Sequence, residues 1–123
     1  MVAEMLVIEK RARTNRLGIW AETRFRVRNP HETRRDIDTF QIVEGRVVSA
    51  AIIKGRAYLN FGPNWRTDFT FSISPRDRRR FERAGIDLAM LASRRVRGRG
   101  WVTLRNGPLI ELTHPEQLEI LGE

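Results

Sequence analysis

The sequence contains no cysteine, which excludes disulfide staples and thiolate metal sites and leaves the redox compartment undetermined. Its two histidines, His31 and His114, stand far apart, so a multi-histidine metal centre is excluded as well. No apolar run approaches the roughly 20 residues that a bilayer-crossing helix needs, so no membrane span is expected. Met1 to Met5 lacks a basic leader, and Glu4 and Glu9 interrupt any apolar core, so no signal peptide is legible. The expectation is a cytoplasmic chain, or a piece of a longer one whose true N-terminus is missing. Lysine is scarce too: Lys10 and Lys54 are the two lysines among 23 basic residues, and the other 21 are arginines.

What is present fits one domain. A chain of 123 residues suits one compact unit and is too short for two comfortable ones. Its 41% apolar, 31% charged and 8% aromatic content describes a soluble globular chain, not a disordered tail. The formal net charge is +8, unevenly spread. Residues 1–40 carry +3, residues 41–105 carry +9 and residues 106–123 carry −4. Arginine offers a planar fork to phosphates and a flat face to bases, so this bias points toward nucleic acid.

Periodicity changes along the chain. Residues 3–16 hold no glycine or proline, and Met5, Ile8 and Ala12 recur at helical spacing before Gly18 and the anchor Ile19-Trp20. Residues 22–39 are polar and broken by Asn29-Pro30, which predicts a short extended piece and a linker. From Phe40 the period becomes two: a long first strand over 40–53 with a bend or bulge at Gly45, then strands over 56–61 and 65–73. Trp65 shares the apolar parity of Phe69 and Phe71. Ser74-Pro75-Arg76-Asp77 is a helix start, with Ser74 as cap, proline at the first helical position and Asp77 returning a bond. This helix carries Phe81 and Ala84 inward and stops at Gly85. A short turn at 87–91, a strand over 96–104, the Asn106-Gly107 turn and a strand over 109–112 follow. Leu118, Ile120 and Leu121 then close the chain against the core. Three strands, a helix and a hairpin give the element order of a mainly β, five-stranded OB barrel of Greek-key type, with a helix between strands 3 and 4 and an N-terminal helix in front. A small mixed sheet with one packed helix is the alternative.

Two stretches resemble the staphylococcal-nuclease-like (thermonuclease) proteins of bacteria. Glu9-Lys10-Arg11-Ala12-Arg13 followed by Leu17-Gly18-Ile19-Trp20 resembles the final helix and exit of a nuclease domain. Val43-Glu44-Gly45-Arg46-Val47, Tyr58-Leu59-Asn60-Phe61-Gly62, Trp65-Arg66-Thr67-Asp68-Phe69-Thr70, Val96-Arg97-Gly98, and Asn106-Gly107-Pro108 through His114-Pro115-Glu116-Gln117 resemble the accessory OB-fold domain of some of those proteins. The resemblance implies a nuclease-tail-like segment at 1–39 and an OB-fold domain at 40–123. It also implies a nuclease domain upstream or in trans. The catalytic equipment does not carry over. The family holds calcium with an Asp-Gly-Asp-Thr element after its first strand and a Gly-Ile-Asp-x-Pro-Glu element. Here Ser49-Ala50-Ala51-Ile52-Ile53 has no carboxylate, and Gly85-Ile86-Asp87 continues as Leu88-Ala89. Calcium takes six to eight hard oxygens, several charged. No catalytic residue, metal or cofactor is therefore assigned.

Candidate binding residues fall into two sets. Along the fourth expected strand, Arg97, Arg99, Trp101, Thr103 and Arg105 share one parity, and Val96, Val102 and Leu104 share the core parity. That pattern offers phosphate forks around a stacking platform. Gly98 and Gly100 leave the core side bare, which suits tight curvature. Tyr58, Asn60 and Arg66 fall on the second and third expected strands, where OB domains bind ligands. Tyr58 stacks a base, Asn60 reads an edge or satisfies a turn, and Arg66 holds a phosphate or pairs with Asp68. The run Arg76, Arg78, Arg79, Arg80, Arg83 is a solvated helix face, unless it shares a side with Arg97 and Arg99 and tracks phosphates. Asp36 and Asp38 sit in a polar linker, and Gly98-x-Gly100 alone is no phosphate loop.

These observations point to a non-catalytic OB module that binds single-stranded DNA or RNA. A protein-interaction or dimerisation module, with Trp101 and Trp20 buried against a nuclease domain or a second copy, is the alternative. Calcium-dependent phosphodiester hydrolysis is a third and weaker reading.

Overall fold

Alternating side chains draw the chain into a single seven-stranded sheet in a computed structural model that describes residues 26–64 and 66–122. The strands are β1 (Phe40–Arg46), β2 (Ser49–Ile53), β3 (Arg56–Asn60), β4 (Thr70–Ile73), β5 (Arg95–Arg105), β6 (Gly107–Glu111) and β7 (Leu118–Gly122). Helix α1 (Pro75–Arg83) lies between β4 and β5, and short 3-10 helices cover Pro30–Asp36, Leu88–Met90 and Pro115–Gln117. Strand order is β1-β5-β6-β4-β3-β2, with β4 and β6 parallel and the other pairs antiparallel. Because β1 runs through Val47-Val48 into β2, the two ends of that path are one stretch of chain. The sheet therefore rolls into the closed arrangement of an OB barrel.

Two features separate seven strands from the five expected. The long first strand changes partner at its middle: the Val47 N–H bonds to Arg94 O at 2.9 Å, whereas the Val48 N–H bonds to Asn60 O at 2.8 Å. The corner divides it into β1 on β5 and β2 on β3, so α1 follows the fourth strand segment, not the third. The second feature is the C-terminus. Residues expected merely to close the core form β7, antiparallel to β5; Leu118 is buried, whereas Ile120 and Leu121 stay exposed.

Gly45 does not make the bend. It sits in register with Val96, and a Cβ there would stand 2.7 Å from Pro30 Cγ, so close approach of the preceding segment is its requirement. That segment is ordered rather than a loose linker. Asn29 Oδ1 accepts from the backbone of His31 at 2.9 Å and of Glu32 at 3.2 Å, and the Glu32 carboxylate accepts from Asn29 N at 3.0 Å. This reciprocal cap nucleates a 3-10 helix. Arg28 meanwhile exchanges backbone bonds with Ile42 and Glu44, covering an edge of β1. The expected N-terminal helix, Trp20 and Trp65 lie outside the described residues.

The core explains the remaining differences. Phe61, Phe69 and Phe71 pack with centroids 5.1–5.5 Å apart. Around them lie Val43, Leu59, Ile73, Phe81, Val96, Val102 and Ile110, all essentially inaccessible. A Cβ on Gly98 would approach Phe71 Cζ to 2.5 Å, and one on Gly100 would meet Ile110 at 2.6 Å, so the bare side of β5 is where the core comes closest. The strand expected from Trp65 begins only at Thr70; ahead of it, Thr67 and Asp68 lie in a turn and donate their backbone N–H groups to Asn64 O. Leu104, expected in the core, is 59% exposed; it pairs with Pro108 beside the β5–β6 turn, past the point where the barrel closes. At α1, Ser74 Oγ accepts from Asp77 N at 3.1 Å and donates to Asp77 Oδ2 at 2.9 Å. Phe81 is buried, but Ala84, expected inward, caps the last turn and is exposed. Among the described residues no helix is long and apolar enough to cross a membrane.

Candidate functional site

On the outer face of the barrel, cross-strand register brings small and polar side chains together. Ser49 pairs with Asn60, Ala51 with Tyr58, Asn60 with Thr70, and Tyr58 with Ser72. Thr70 pairs in turn with Leu109 of the parallel strand β6. Tyr58, between the small neighbours Ala51 and Ser72, is partly buried. A cleft of ≈ 300 Å³ results, lined by Ala51 and Ile53 from β2, Tyr58 and Asn60 from β3, Thr70 from β4, Leu109 from β6, and Arg105 and Asn106 at the β5–β6 turn. Strands β3 and β4 are the second and third strands of the OB barrel, and the β5–β6 turn is its last hairpin. This is where the fold presents ligands.

The polar groups are held in place. Asn60 Nδ2 donates to Ser49 Oγ at 3.1 Å, and Asn60 Oδ1 accepts from Thr70 Oγ1 at 3.0 Å. The two bonds fix the orientation of the amide, which keeps one N–H and one lone pair for a ligand. Its structural role is thus a cross-strand ladder, not the satisfaction of a turn. Asn106 at φ 66° adopts the left-handed conformation asparagine tolerates, turning the chain so that Arg105 ends at the cleft. Among the described residues, neither the Arg105 guanidinium nor the Tyr58 hydroxyl has a hydrogen-bond partner. Beyond Tyr58 the same face closes with Arg56, whose Nη1 donates to Ser72 Oγ at 2.9 Å and to Glu111 Oε1 at 3.1 Å.

The expected cationic ridge along β5 divides. Trp101 is 62% exposed, packed edge-on against Phe40 at 6.3 Å, and Thr103 and Arg105 face solvent. Arg97 is neutralised. Its Nε and Nη2 donate to Glu44 Oε1 at 3.0 and 2.7 Å, and Arg95 Nε binds the other carboxylate oxygen at 3.2 Å. Burial pushes the Glu44 carboxyl up, but the hydrogen bonds and charges of Arg97 and Arg95 outweigh it and hold the group below the usual range. Arg99 is 3% exposed, so it offers no fork to solvent. Burial lowers its pKa, and the charge of Glu119 partly offsets that. Strands β1 and β7 flank this half of β5 and bring Glu44 and Glu119 into register with Arg97.

Arg66 belongs to neither set. It is exposed in the turn before β4, where its backbone N–H donates to Asn64 Oδ1 at 3.1 Å, and it does not line the cleft. Asp68 accepts from Asn64 N at 2.8 Å. Asp87 caps the 3-10 helix Leu88–Met90 by accepting from Ala89 N, a structural role. The structure thus unites Tyr58, Asn60 and Arg105, places Trp101 farther along β5, and separates Arg66, Arg97 and Arg99 from them. Sequence reasoning missed Thr70, Asn106 and Leu109. The outward parity of Thr70 between Phe69 and Phe71 was the available signal; the other two are set by strand order.

No family model matches the chain, a staphylococcal-nuclease-like one included, and no curated protein matches it. Solved structures do. A Leishmania major Friedlin protein described as an aspartyl-tRNA synthetase aligns over 79% of this chain with a TM-score of 0.57 and 10% identity. The S. pombe Stn1-ten1 complex aligns over 68% with a TM-score of 0.50 and 15% identity. OBody AM1L10, bound to hen egg-white lysozyme, aligns over 74% with a TM-score of 0.51 and 17% identity. The chain spans 21%, 59% and 87% of these three chains respectively. Likeness at this identity is a likeness of fold.

Proposed function

We propose that this chain is an OB-fold module that binds single-stranded nucleic acid, DNA or RNA, in the cleft between β2, β3, β4 and the β5–β6 turn. The observation that carries this reading is the convergence of three complementary groups on one cleft: the Tyr58 ring in its wall, the oriented Asn60 amide and the guanidinium of Arg105. Tyr58 stacks a base, Asn60 bonds its edge, and Arg105 holds a flanking phosphate. Trp101 supplies a second stacking surface along β5. A cleft of this volume, at the small end of ligand sites, suits one base rather than a folded ligand. The net charge of +8 and structural likeness to a protein named for tRNA support the same reading. The finer role, a substrate-holding module beside a staphylococcal-nuclease-like domain, rests on the sequence resemblance over residues 3–20 and 40–121.

One observation favours a second reading. Trp101 is 62% exposed on β5, and an OB-fold neighbour was solved bound to a protein. In that case Trp101 anchors a protein interface, with a second copy or another chain. Fluorescence anisotropy with labelled single-stranded DNA and RNA separates the two. Binding should weaken as salt rises, and Tyr58→Ala should lose roughly 1–3 kcal/mol, about 5- to 150-fold. No binding at low salt, or binding indifferent to Tyr58→Ala, refutes the cleft reading. A tight dimer whose DNA binding is absent supports the second.

A further inference from the structure

Helix α1 carries arginines that the cleft does not use. Arg76, Arg79 and Arg83 recur at steps of three and four, so they lie one above another on a single face. The buried residues Asp77 and Phe81 lie toward the barrel, and all three arginines are exposed. Their neighbours on the helix are already committed. Arg78 donates to Gly55 O at 2.9 Å and faces Glu82 at 3.6 Å, and Arg80 reaches Thr113 O at 3.3 Å. Among the described residues, Arg79 and Arg83 have no ion pair or hydrogen bond. Arg76 lies 3.5 Å from Asp77 with a side chain 82% exposed.

The start of the helix that carries this face packs against the turn that follows the cleft wall. Ile53 lines the cleft wall, the exposed Lys54 follows it, and Gly55 accepts the bond from Arg78. A Cβ on Gly55 would stand 3.3 Å from Pro75, the first residue of α1. A strand leaving Tyr58 past Ile53 therefore meets Lys54 and then the arginine face, which spans about 10 Å from Arg76 to Arg83.

Resting on the cleft reading, we infer that the Arg76–Arg79–Arg83 face is a second contact for the phosphate backbone of the same nucleic-acid strand, reached over the β2–β3 turn. The companion this helix was expected to need, Arg97 with Arg99, is ion-paired or buried; its companion is the cleft. The commitment to a nucleic-acid backbone follows from charge. Glu82, the acid on the exposed side of the helix, is taken by Arg78, so the face presents cations without an aromatic or an apolar anchor.

The test uses the full chain and labelled oligothymidylates of about 4 and about 15 nucleotides, the range of OB site sizes. Affinities are measured between roughly 50 and 200 mM salt. The short probe fills the cleft, and the long one also reaches α1. For the wild type the salt slope of the long probe should exceed that of the short by about 2, three phosphates at about 0.7 each. The variant Arg76→Gln/Arg79→Gln/Arg83→Gln should erase that difference and weaken the long probe by about one to two orders of magnitude, leaving the short probe unchanged. Equal wild-type slopes, or a variant that weakens both probes alike, overturns the inference and leaves the cleft standing. Wild-type binding of neither probe removes both. Arginine-dependent binding to phosphatidylserine vesicles without any dependence on probe length reassigns the face to membrane and also overturns it. If the triple variant unfolds, Arg79→Gln alone should lower the long-probe slope by about 0.7; no change has the same negative meaning.

Discussion

The barrel can curve tightly along β5 only if nothing stands between its backbone and Phe71, and Gly98→Ala tests that directly. The new methyl carbon would lie 2.5 Å from Phe71 Cζ and 2.9 Å from Cε1 and Cε2, against an ordinary carbon contact of about 3.5–4 Å. The ring tip must therefore retreat by about 1 Å. It has nowhere to go. Phe71 is fully buried, and its ring stands nearly perpendicular to those of Phe61 and Phe69, each 5.1 Å away. Gly98 is not among the residues with positive φ, so alanine brings no backbone strain and the whole cost is overpacking, about 1–3 kcal/mol. Urea denaturation should show a lowered midpoint at constant m, by about 1 M for a slope of about 1–3 kcal/mol/M. Phe71→Leu alone should also destabilise, by leaving a cavity. In the double variant the methyl group occupies part of that cavity, so the two costs should fall short of additivity by about 1 kcal/mol or more. A Gly98→Ala protein within about 0.5 kcal/mol of wild type, or strictly additive costs, would refute the idea that this contact sets the curvature.

Other consequences are local. Ser74→Ala removes the cap of α1 together with the hydroxyl that donates to the buried Asp77 carboxylate, so a loss of about 1–2 kcal/mol is expected in thermal or urea unfolding. A loss below about 0.5 kcal/mol would mean the cap is replaced from elsewhere. The Glu32 carboxyl, held to about 2 by hydrogen bonds from Arg26 and from the Asn29 backbone, makes the 3-10 helix Pro30–Asp36 sensitive to acid. A depressed folded-state pKa contributes stability above the unfolded value of 4.5, and that contribution is lost as pH falls toward about 2. Glu32→Gln should therefore flatten the melting temperature across that window; an unchanged profile would show that the ion pair adds nothing.

The order of elements was open to sequence reasoning because local chemistry sets it. Alternation in Arg56–Asn60 and Thr70–Ile73, the Ser-Pro-x-Asp start of α1 and the turn before β6 each act over a few residues. Parity also put Tyr58 and Asn60 outward and Phe69, Phe71 and Ile73 inward, as the structure has them. Parity failed where a distant strand intervened. Arg97 and Arg99 point to the outer face as the alternation requires, yet Glu44 in register on β1 neutralises the first, and the second is buried. Leu104 carries core parity but lies past barrel closure.

Charge, arginine bias and the period of each segment belong to the chain itself, since they need no knowledge of what comes near. Which cation stays open, and which side chains share the cleft, depends on strand order. Tyr58 and Arg105 are far apart in sequence and line one cleft because β4 pairs with β3 on one side and in parallel with β6 on the other, bringing the last hairpin within one strand of β3. Such contacts are long-range and cooperative, and no local spacing encodes them; burial and register chose Arg105 and withdrew Arg99.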